Sequence, residues 1–404
     1  MFKNIASNTL AQLTAKFFGA GLTLLTTFFT IRIAGLYLYG DLSKILVLVA
    51  LGFTVIDFGL NADAVRRATG VSSMLQLTRR VMLTRLALAL VAIMVLNTFV
   101  FLLPGGYSPE IKSLFWVASI GILFQSIYTS GNAYFQYSMN YWRSTISVIL
   151  GTIVTTILTL YYLSSSPTLP SLTLSITFGY FVMAVSTFLL LPRLLFKDIQ
   201  ISDLREVVPT LLRASTLGAI LIFSILSSKV DTILLGVFRT SSEVGQYAFA
   251  YRIFDVILVL PVFVMNSLYP LMLKNKESLL IPTLKTLGSL GFLAGIATYV
   301  LAPLIIYIKP ELGLSITTLR ILSLSLPLFY LTAPLMWDLV AKSKDGLVLK
   351  IYIIAALLNV SANLWAIPHH GVVAAAIITG VTELLIFISL LYYSHRTQDS
   401  HLRI

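Results

Sequence analysis

The sequence predicts an all-α integral membrane protein of about twelve transmembrane helices in two six-helix lobes, and three observations predict it. Of the 404 residues, 57% are hydrophobic and only 11% charged, with a mean hydropathy of +0.92; soluble domains run near 45–50% apolar and about 25% charged. Apolar stretches of the roughly 20 residues that cross a bilayer core recur along the whole chain. Twelve such stretches take about 240 residues and leave about 160 for termini and connections, so no sizeable soluble domain fits.

The expected spans are 13–33, 42–60, 81–103, 111–134, 145–163, 171–191, 211–236, 246–273, 284–308, 319–340, 347–367 and 372–393. The first lies between Lys16 and Arg32 without a small-residue cleavage site, so it reads as a retained span rather than a signal peptide. The even number puts both termini on one side. Alternating the connections puts 20 of the 28 Lys and Arg on that side, among them Arg66, Arg67, Arg79, Arg80, Arg85, Lys197, Lys274 and Lys276. The other side keeps six, Arg32, Lys44, Lys112, Arg239, Lys309 and Arg320, while Lys229 and Arg252 fall inside helices. The positive-inside rule then makes both termini cytoplasmic. The outer connections are short, as at 104–112, 164–171 and 368–371, so nothing is built outside the membrane.

Orientation also accounts for the net charge of +12. No stretch joins a basic groove to stacking aromatics outside an apolar run, so nucleic acid is not expected as a partner. The absence of cysteine excludes a disulfide framework, a thiol nucleophile, a thiolate zinc site and an iron-sulfur cluster. The sequence holds no phosphate-binding Gly-Lys-Ser/Thr loop, no His-Glu-x-x-His and no Gly-x-Ser-x-Gly, which argues against ATP hydrolysis and against an enzyme of those classes.

The halves read as weak repeats, 1–200 and 201–404. Ile31 to Gly35 with Gly40 corresponds to Ile233 to Gly236 with Gly245, the glycines being offset by 201 and 205 residues. Six spans per half insert both repeats in the same orientation, so their pseudo-two-fold axis runs along the membrane normal, with a central cavity between the lobes.

A charge at mid-membrane costs about 2.5–3.5 kcal/mol on insertion scales, so Lys229, Asp231, Arg252 and Asp255 are expected to face protein or water. Counting down from the outer turn puts Asp231 and Arg252 at similar depth on adjacent helices, where they could pair. Lys229 points to a different face from Asp231, which would leave it for an anionic substrate; a structural ion pair is the alternative. Asp255 and Glu383 lie closest to the midplane and are candidates for a proton relay, Glu383 equally for a neutral hydrogen-bonded carboxyl. Lys16 and Asp57, near the cytoplasmic end of the first lobe, suit snorkelling or gating. Asn359 and Asn363 share one helix face, and Ala375 and Thr379 another. Amide, hydroxyl and carbonyl oxygens beside a carboxylate suit a hard alkali cation, and interhelical hydrogen bonding explains them too. Arg66, Arg67, Arg79 and Arg80 beside Met74, Leu75 and Leu77 would attract anionic headgroups or simply fix topology. Gly291 and Gly295 read as a helix-packing contact, and His369 and His370 as solvated turn residues.

Three stretches carry a family resemblance. They are Asp231 through Val244-Gly-Gln-Tyr-Ala-Phe-Ala-Tyr-Arg252 to Pro261, Arg32 to Gly40 with Asp57-Phe-Gly-Leu60, and Asn359-Val-Ser-Ala-Asn363 through Pro368, Gly371, Thr379 and Glu383. Together they resemble the polysaccharide-biosynthesis flippases of the multidrug/oligosaccharidyl-lipid/polysaccharide exporter superfamily. The resemblance implies alternating access that carries an undecaprenyl-pyrophosphate-linked oligosaccharide across a bacterial cytoplasmic membrane, with membrane lipids and other glycan-assembly proteins as partners. It implies no cofactor beyond sodium or a proton as coupling ion. By the pattern of related lipid II flippases, Arg252 lines a cationic cavity, to which Lys229 and Arg32 would add charge. Asp231, Asn359, Asn363, Thr379 and the Ala375 carbonyl would form a sodium site. Asn363 stands where those relatives carry an acid, so the site has one negative charge fewer. The missing two extra helices of lipid II flippases favour an O-unit or capsule-type substrate. A drug/cation antiporter of the same superfamily and a polysaccharide polymerase or ligase are the alternatives; the last would need a large outer loop.

Overall fold

The computed structural model describes residues 2–195, 201–274 and 279–401. Lys197 and Lys276 lie outside the described residues, as do the side chains of Arg66 and Lys274. Every regular element among the described residues is helical. Among the described residues, ten continuous stretches are long and apolar enough to cross a membrane. Two of them, Thr14–Asp57 with 44 residues and Asp345–Arg396 with 52, would run about 65 and 80 Å if straight, more than twice a bilayer core. Each is broken at a glycine with positive φ, Gly35 at 87° and Gly371 at 59°. Twelve spans result, as the hydropathy pattern requires.

The chain divides into two compact units, residues 1–222 and 223–404. The first holds α1 (Phe2–Phe29), α2 (Gly35–Asp57), a short α3 (Leu60–Arg67), α4 (Val71–Leu102), α5 (Pro109–Tyr137), α6 (Tyr141–Ser165), α7 (Leu169–Leu190), the one-turn α8 (Ile201–Arg205) and the start of α9 (Val207–Phe238). Within it α5 is the hub, packed against α2, α4, α6 and α7. The second holds the rest of α9, then α10 (Ser241–Ile257), α11 (Val259–Lys274), α12 (Leu280–Leu301), α13 (Gly313–Ala341) and α14 (Asp345–His401), whose limbs meet at Gly371. Here α13 is the hub, against α10, α11, α12 and α14. The fourth span of six thus plays the same part in both units.

The division falls inside α9 rather than at residue 200 because the start of that helix is tied to the first unit. Gly59 and Gly218 lie so close to Leu217 and the Phe58 ring that neither has room for a side chain. Arg79 and Arg80 each place Nε 3.2 Å from the buried Asp203 carboxylate of α8. Arg79 and Arg80 therefore hold protein to protein, a use the sequence did not single out beside headgroup attraction and a topology signal. The glycine correspondence between the halves is also corrected: Gly35 makes the turn after α1, whereas Gly236 sits inside α9 and Arg239 and Thr240 make the later turn. Thr240 caps α10 reciprocally with Glu243.

Two polar repairs hold the spans. Arg85, placed by sequence among the orienting charges, is fully buried in α4. Its Nε donates to the Ile56 carbonyl at 2.8 Å and its Nη2 to the Asp57 carbonyl at 3.3 Å, at the partially negative end of α2. The fork also reaches Ser130 at 3.1 Å and Asn61 at 3.0 Å, so it joins α2, α3, α4 and α5. In the second unit, Pro261 has no N–H and leaves the Ile257 carbonyl without its helical donor. Tyr330 of α13 donates its hydroxyl to that carbonyl at 2.8 Å. Gly291 and Gly295 let α12 approach α13 there: a methyl on Gly291 would come within 2.8 Å of the Tyr330 Cβ, and one on Gly295 within 2.9 Å of the Ser323 carbonyl. The expected packing role of this pair follows directly.

Two outcomes test these repairs. Tyr330→Phe lowers the apparent Tm in detergent by the equivalent of about 1–2 kcal/mol. In a Pro261→Ala background, where the backbone donor returns, the same change costs less than half as much; equal costs in both backgrounds would remove the repair. Arg85→Lys, which keeps the charge but loses the fork, destabilises by about 2 kcal/mol, whereas exposed Arg67→Lys leaves the unfolding temperature within error.

Candidate functional site

Apart from Asp338 of α13, which pairs with Lys342 at 2.9 Å, the buried and half-buried charges towards the middle of the second unit's spans lie on α9, α10 and α14. On α9, Lys229 and Asp231 are two residues apart, about 200° around a helix, and face different partners. On α10, Tyr247, Tyr251 and Asp255 follow at intervals of four and form one stripe. That stripe serves both α9 charges. Tyr247 donates its hydroxyl to Asp231 Oδ2, the Tyr251 ring lies 4.0 Å from Lys229 Nζ, and Asp255 Oδ2 accepts from that ammonium at 2.8 Å.

The expected Asp231–Arg252 pair is therefore not formed. Arg252 sits one residue past Tyr251, off the stripe, and among the described residues no carboxylate lies within 4 Å of it and no side-chain hydrogen bond engages it. Lys229 is not left for an anion; Asp255 neutralises it, and the same contact engages the proton-relay candidate Asp255. Half-buried Arg252 is the available guanidinium. Arg32 belongs to the first unit, exposed in a π-helical turn with its guanidinium 6.0 Å from the Phe28 ring centre. Asp57, also in the first unit, lies 3.5 Å from Arg85 with its side chain 47% exposed.

Asp231 is fully buried. Its Oδ1 accepts the Thr232 amide at 2.6 Å and lies 3.3 Å from the Thr232 hydroxyl. Its Oδ2 lies 3.1 Å from the Thr379 hydroxyl, which is also 3.0 Å from the Ala375 carbonyl. One hydroxyl proton serves these two acceptors by turns. One turn along α14 from Thr379, Thr382 accepts from Asn359 at 3.0 Å, and Asn363 donates to Asn359 at 2.9 Å. The Asn363 carbonyl oxygen is buried with no hydrogen-bond partner. A buried amide oxygen without a donor is costly unless something positive meets it. A carboxylate, two amides, a hydroxyl and a main-chain carbonyl fit a hard monovalent cation. Oxygen donors without imidazole or thiolate suit an alkali ion rather than a transition metal.

Beside this oxygen cluster lies a cavity of about 310 Å³ within the second unit. Thr379 and Thr382, which bond to Asp231 and Asn359, line it together with Ser224, Ser227 and Ser228 of α9. Glu383 lines it as well, only 7% exposed, and no cation lies within 4 Å of its carboxylate among the described residues. Tyr247 and Thr382 were not singled out from sequence, although the four-residue spacing of Tyr247, Tyr251 and Asp255 is visible there. His369 and His370 are exposed, His369 bonding to the Trp365 carbonyl at 2.9 Å. Nearby, Arg239 donates to the Ile367 carbonyl at 3.1 Å and packs on Gly371, closing the break between the limbs of α14.

Among solved structures, the lipid II flippase MurJ in an inward closed conformation superposes with a TM-score of 0.76 at 14% identity, covering 95% of this chain and 87% of that one. An inward-facing multidrug resistance MATE family transporter of the MOP superfamily gives 0.75 at 15% identity, covering 95% of each chain. A MOP superfamily transporter from Pyrococcus furiosus, described by a reversed polarity of its binding pocket, gives 0.69 at 14%, covering 98% and 97%. These likenesses establish the twelve-helix, two-lobe fold of a multi-pass membrane protein. No curated protein sequence matches significantly. The family model described as "Polysaccharide biosynthesis protein" matches residues 4–276, more than half of the chain, and the protein belongs to that family.

Proposed function

We propose that the protein is a flippase, not an enzyme, that moves undecaprenyl-pyrophosphate-linked oligosaccharide units from the inner to the outer leaflet of the bacterial cytoplasmic membrane. It works by alternating access with both termini cytoplasmic, and its partners are membrane lipids and other glycan-assembly proteins. The availability of Arg252 carries this reading. A pyrophosphate at membrane depth needs a fixed cation that no protein carboxylate has already neutralised, and a guanidinium fork suits phosphate oxygens. Lys229 is spent on Asp255 and Arg85 on the end of α2. The family's description places it in polysaccharide biosynthesis, and a structural neighbour is titled a lipid II flippase. The O-unit or capsule-type cargo rests on the sequence resemblance.

Sodium is the coupling ion in this proposal, held by Asp231, Asn359, Asn363, Thr379 and the Ala375 carbonyl. When bound it supplies the positive charge that Asp231 and the unpaired Asn363 oxygen lack. Tyr247 and Thr232 hold the Asp231 carboxylate in place, and Thr379 can turn its proton to Ala375 and present a lone pair to the site. A second reading, an organic-cation antiporter, is favoured by Glu383, whose cavity is walled by Phe329, Trp337 and Tyr352; aromatic faces beside a carboxylate suit such cations.

Leaflet exchange of a labelled undecaprenyl-pyrophosphate oligosaccharide in proteoliposomes tests the function. Arg252→Ala lowers the rate about ten-fold or more, as expected for losing a charge-assisted bond of about 1.5–3 kcal/mol, and Arg252→Lys restores part of it. Folded Arg252→Ala protein with wild-type exchange would remove the headgroup role. Asp231→Asn abolishes the acceleration by an inward sodium gradient while gradient-free exchange persists. No lipid exchange, together with electroneutral uptake of a labelled organic cation, would establish the antiporter.

A further inference from the structure

We propose that the cavity in the second unit is a cation vestibule and that Glu383 is a second cation-binding position, where an alkali ion is held before it reaches Asp231. This rests on the ion site described above. Asp231 and Asn363 have no exposed surface, so an ion needs a polar route to them. Two side chains bridge cavity and cluster: Thr379 reaches Asp231 at 3.1 Å, Thr382 reaches Asn359 at 3.0 Å, and both line the cavity. The cavity therefore meets both halves of the oxygen cluster from one side.

The lining chemistry suits a partly hydrated cation. Glu383 follows Thr382 directly, is the charged residue of the lining, and no Lys or Arg lines the cavity. Ser224, Ser227, Ser228, Thr332, Thr379 and Thr382 bring hydroxyls into a lining that is otherwise mainly apolar; those of Ser227, Ser228 and Thr332 donate to carbonyls of their own helices, which leaves their oxygen lone pairs for a hard cation. At about 30 Å³ of liquid volume per water, a volume of 310 Å³ has room for an ion that keeps much of its shell. The alternation is physical: Glu383 offers charge at the wall of the cavity, while Asp231 offers charge with fixed oxygens where no surface is exposed. A carboxylate in the vestibule raises the local cation concentration beside the cluster.

The test uses purified full-length protein in nanodiscs. Sodium protection against thermal unfolding is titrated at constant ionic strength, with N-methylglucamine chloride as the replacement. Wild type is protected at low sodium, whereas Asp231→Asn keeps only the weak protection that Glu383 gives at high sodium. Glu383→Gln raises the half-maximal sodium concentration about five-fold or more yet reaches full protection, and Glu383→Asp returns most of the affinity. An unchanged midpoint for folded Glu383→Gln overturns the vestibule and leaves the Asp231 site standing. Absence of sodium protection in wild type overturns both, while leaflet exchange still judges the flippase reading. Because the chain has no cysteine, Ser227→Cys gives a second readout. A cationic methanethiosulfonate reacts there faster than an anionic one of similar size, and Glu383→Gln removes that preference. Equal rates for the two reagents with Glu383 in place would overturn the proposal.

Discussion

Without water, a bilayer core leaves every backbone carbonyl freed from a helix and every ionised side chain to be satisfied by the protein itself. The rest of the structure depends on that constraint. Pro261 breaks the ladder between α10 and α11, and the freed Ile257 carbonyl takes the Tyr330 hydroxyl. That bond fixes which face of α13 meets α10, and Gly291 and Gly295 bring α12 against the same turn. Arg85 does the equivalent for the first unit, its fork placed on the end of α2. In the second unit the closing partner, Tyr330, lies on the hub α13; in the first it lies on α4, and the hub α5 holds its fork through Ser130.

The same constraint explains how the charges of α9 are divided. Two charges two residues apart cannot share a partner, so α10 presents a stripe in which Tyr247 answers Asp231, and Tyr251 with Asp255 answers Lys229. A tyrosine against a carboxylate leaves the negative charge in place, whereas an aspartate against an ammonium cancels it. Around α9 and α10 the unit is thus set with the Lys229–Asp255 pair and with two carboxylates, Asp231 and Glu383, that have no basic partner within 4 Å among the described residues. Both stand where they can receive a cation, while Arg252 on the neighbouring face can receive an anion.

Spans were legible in the sequence because hydropathy and length are local properties. The Gly371 break was legible for the same reason, a glycine just after a proline. What could not be read was choice of partner. Asp231 and Arg252 matched in depth, but depth ignores rotation about the helix axis, and the four-residue spacing of Tyr247, Tyr251 and Asp255 outranked it. Arg85 looked like an orienting charge because its use depends on where α2 ends in space. Phe58 and Gly59 take left-handed φ values of 44° and 69° and set that end, and nothing in the local hydropathy marks it. Among the ion-site residues, the face shared by Asn359 and Asn363 was visible, whereas the unanswered Asn363 oxygen appears only once Thr382 is placed.

Asn363 also explains how the second unit can work with fewer acids. In the middle of its spans, the described charges are Lys229, Arg252, Asp231, Asp255 and Glu383, which sum to one negative. One bound monovalent cation brings that sum to zero, whether it sits at Asp231 or at Glu383. An aspartate at position 363 would have raised the deficit to two, and a single monovalent cation would no longer balance the charge of these spans. An asparagine there keeps the oxygen for coordination and removes the surplus charge. The cost is one negative charge fewer for holding a cation, which under the proposed sodium coupling favours release.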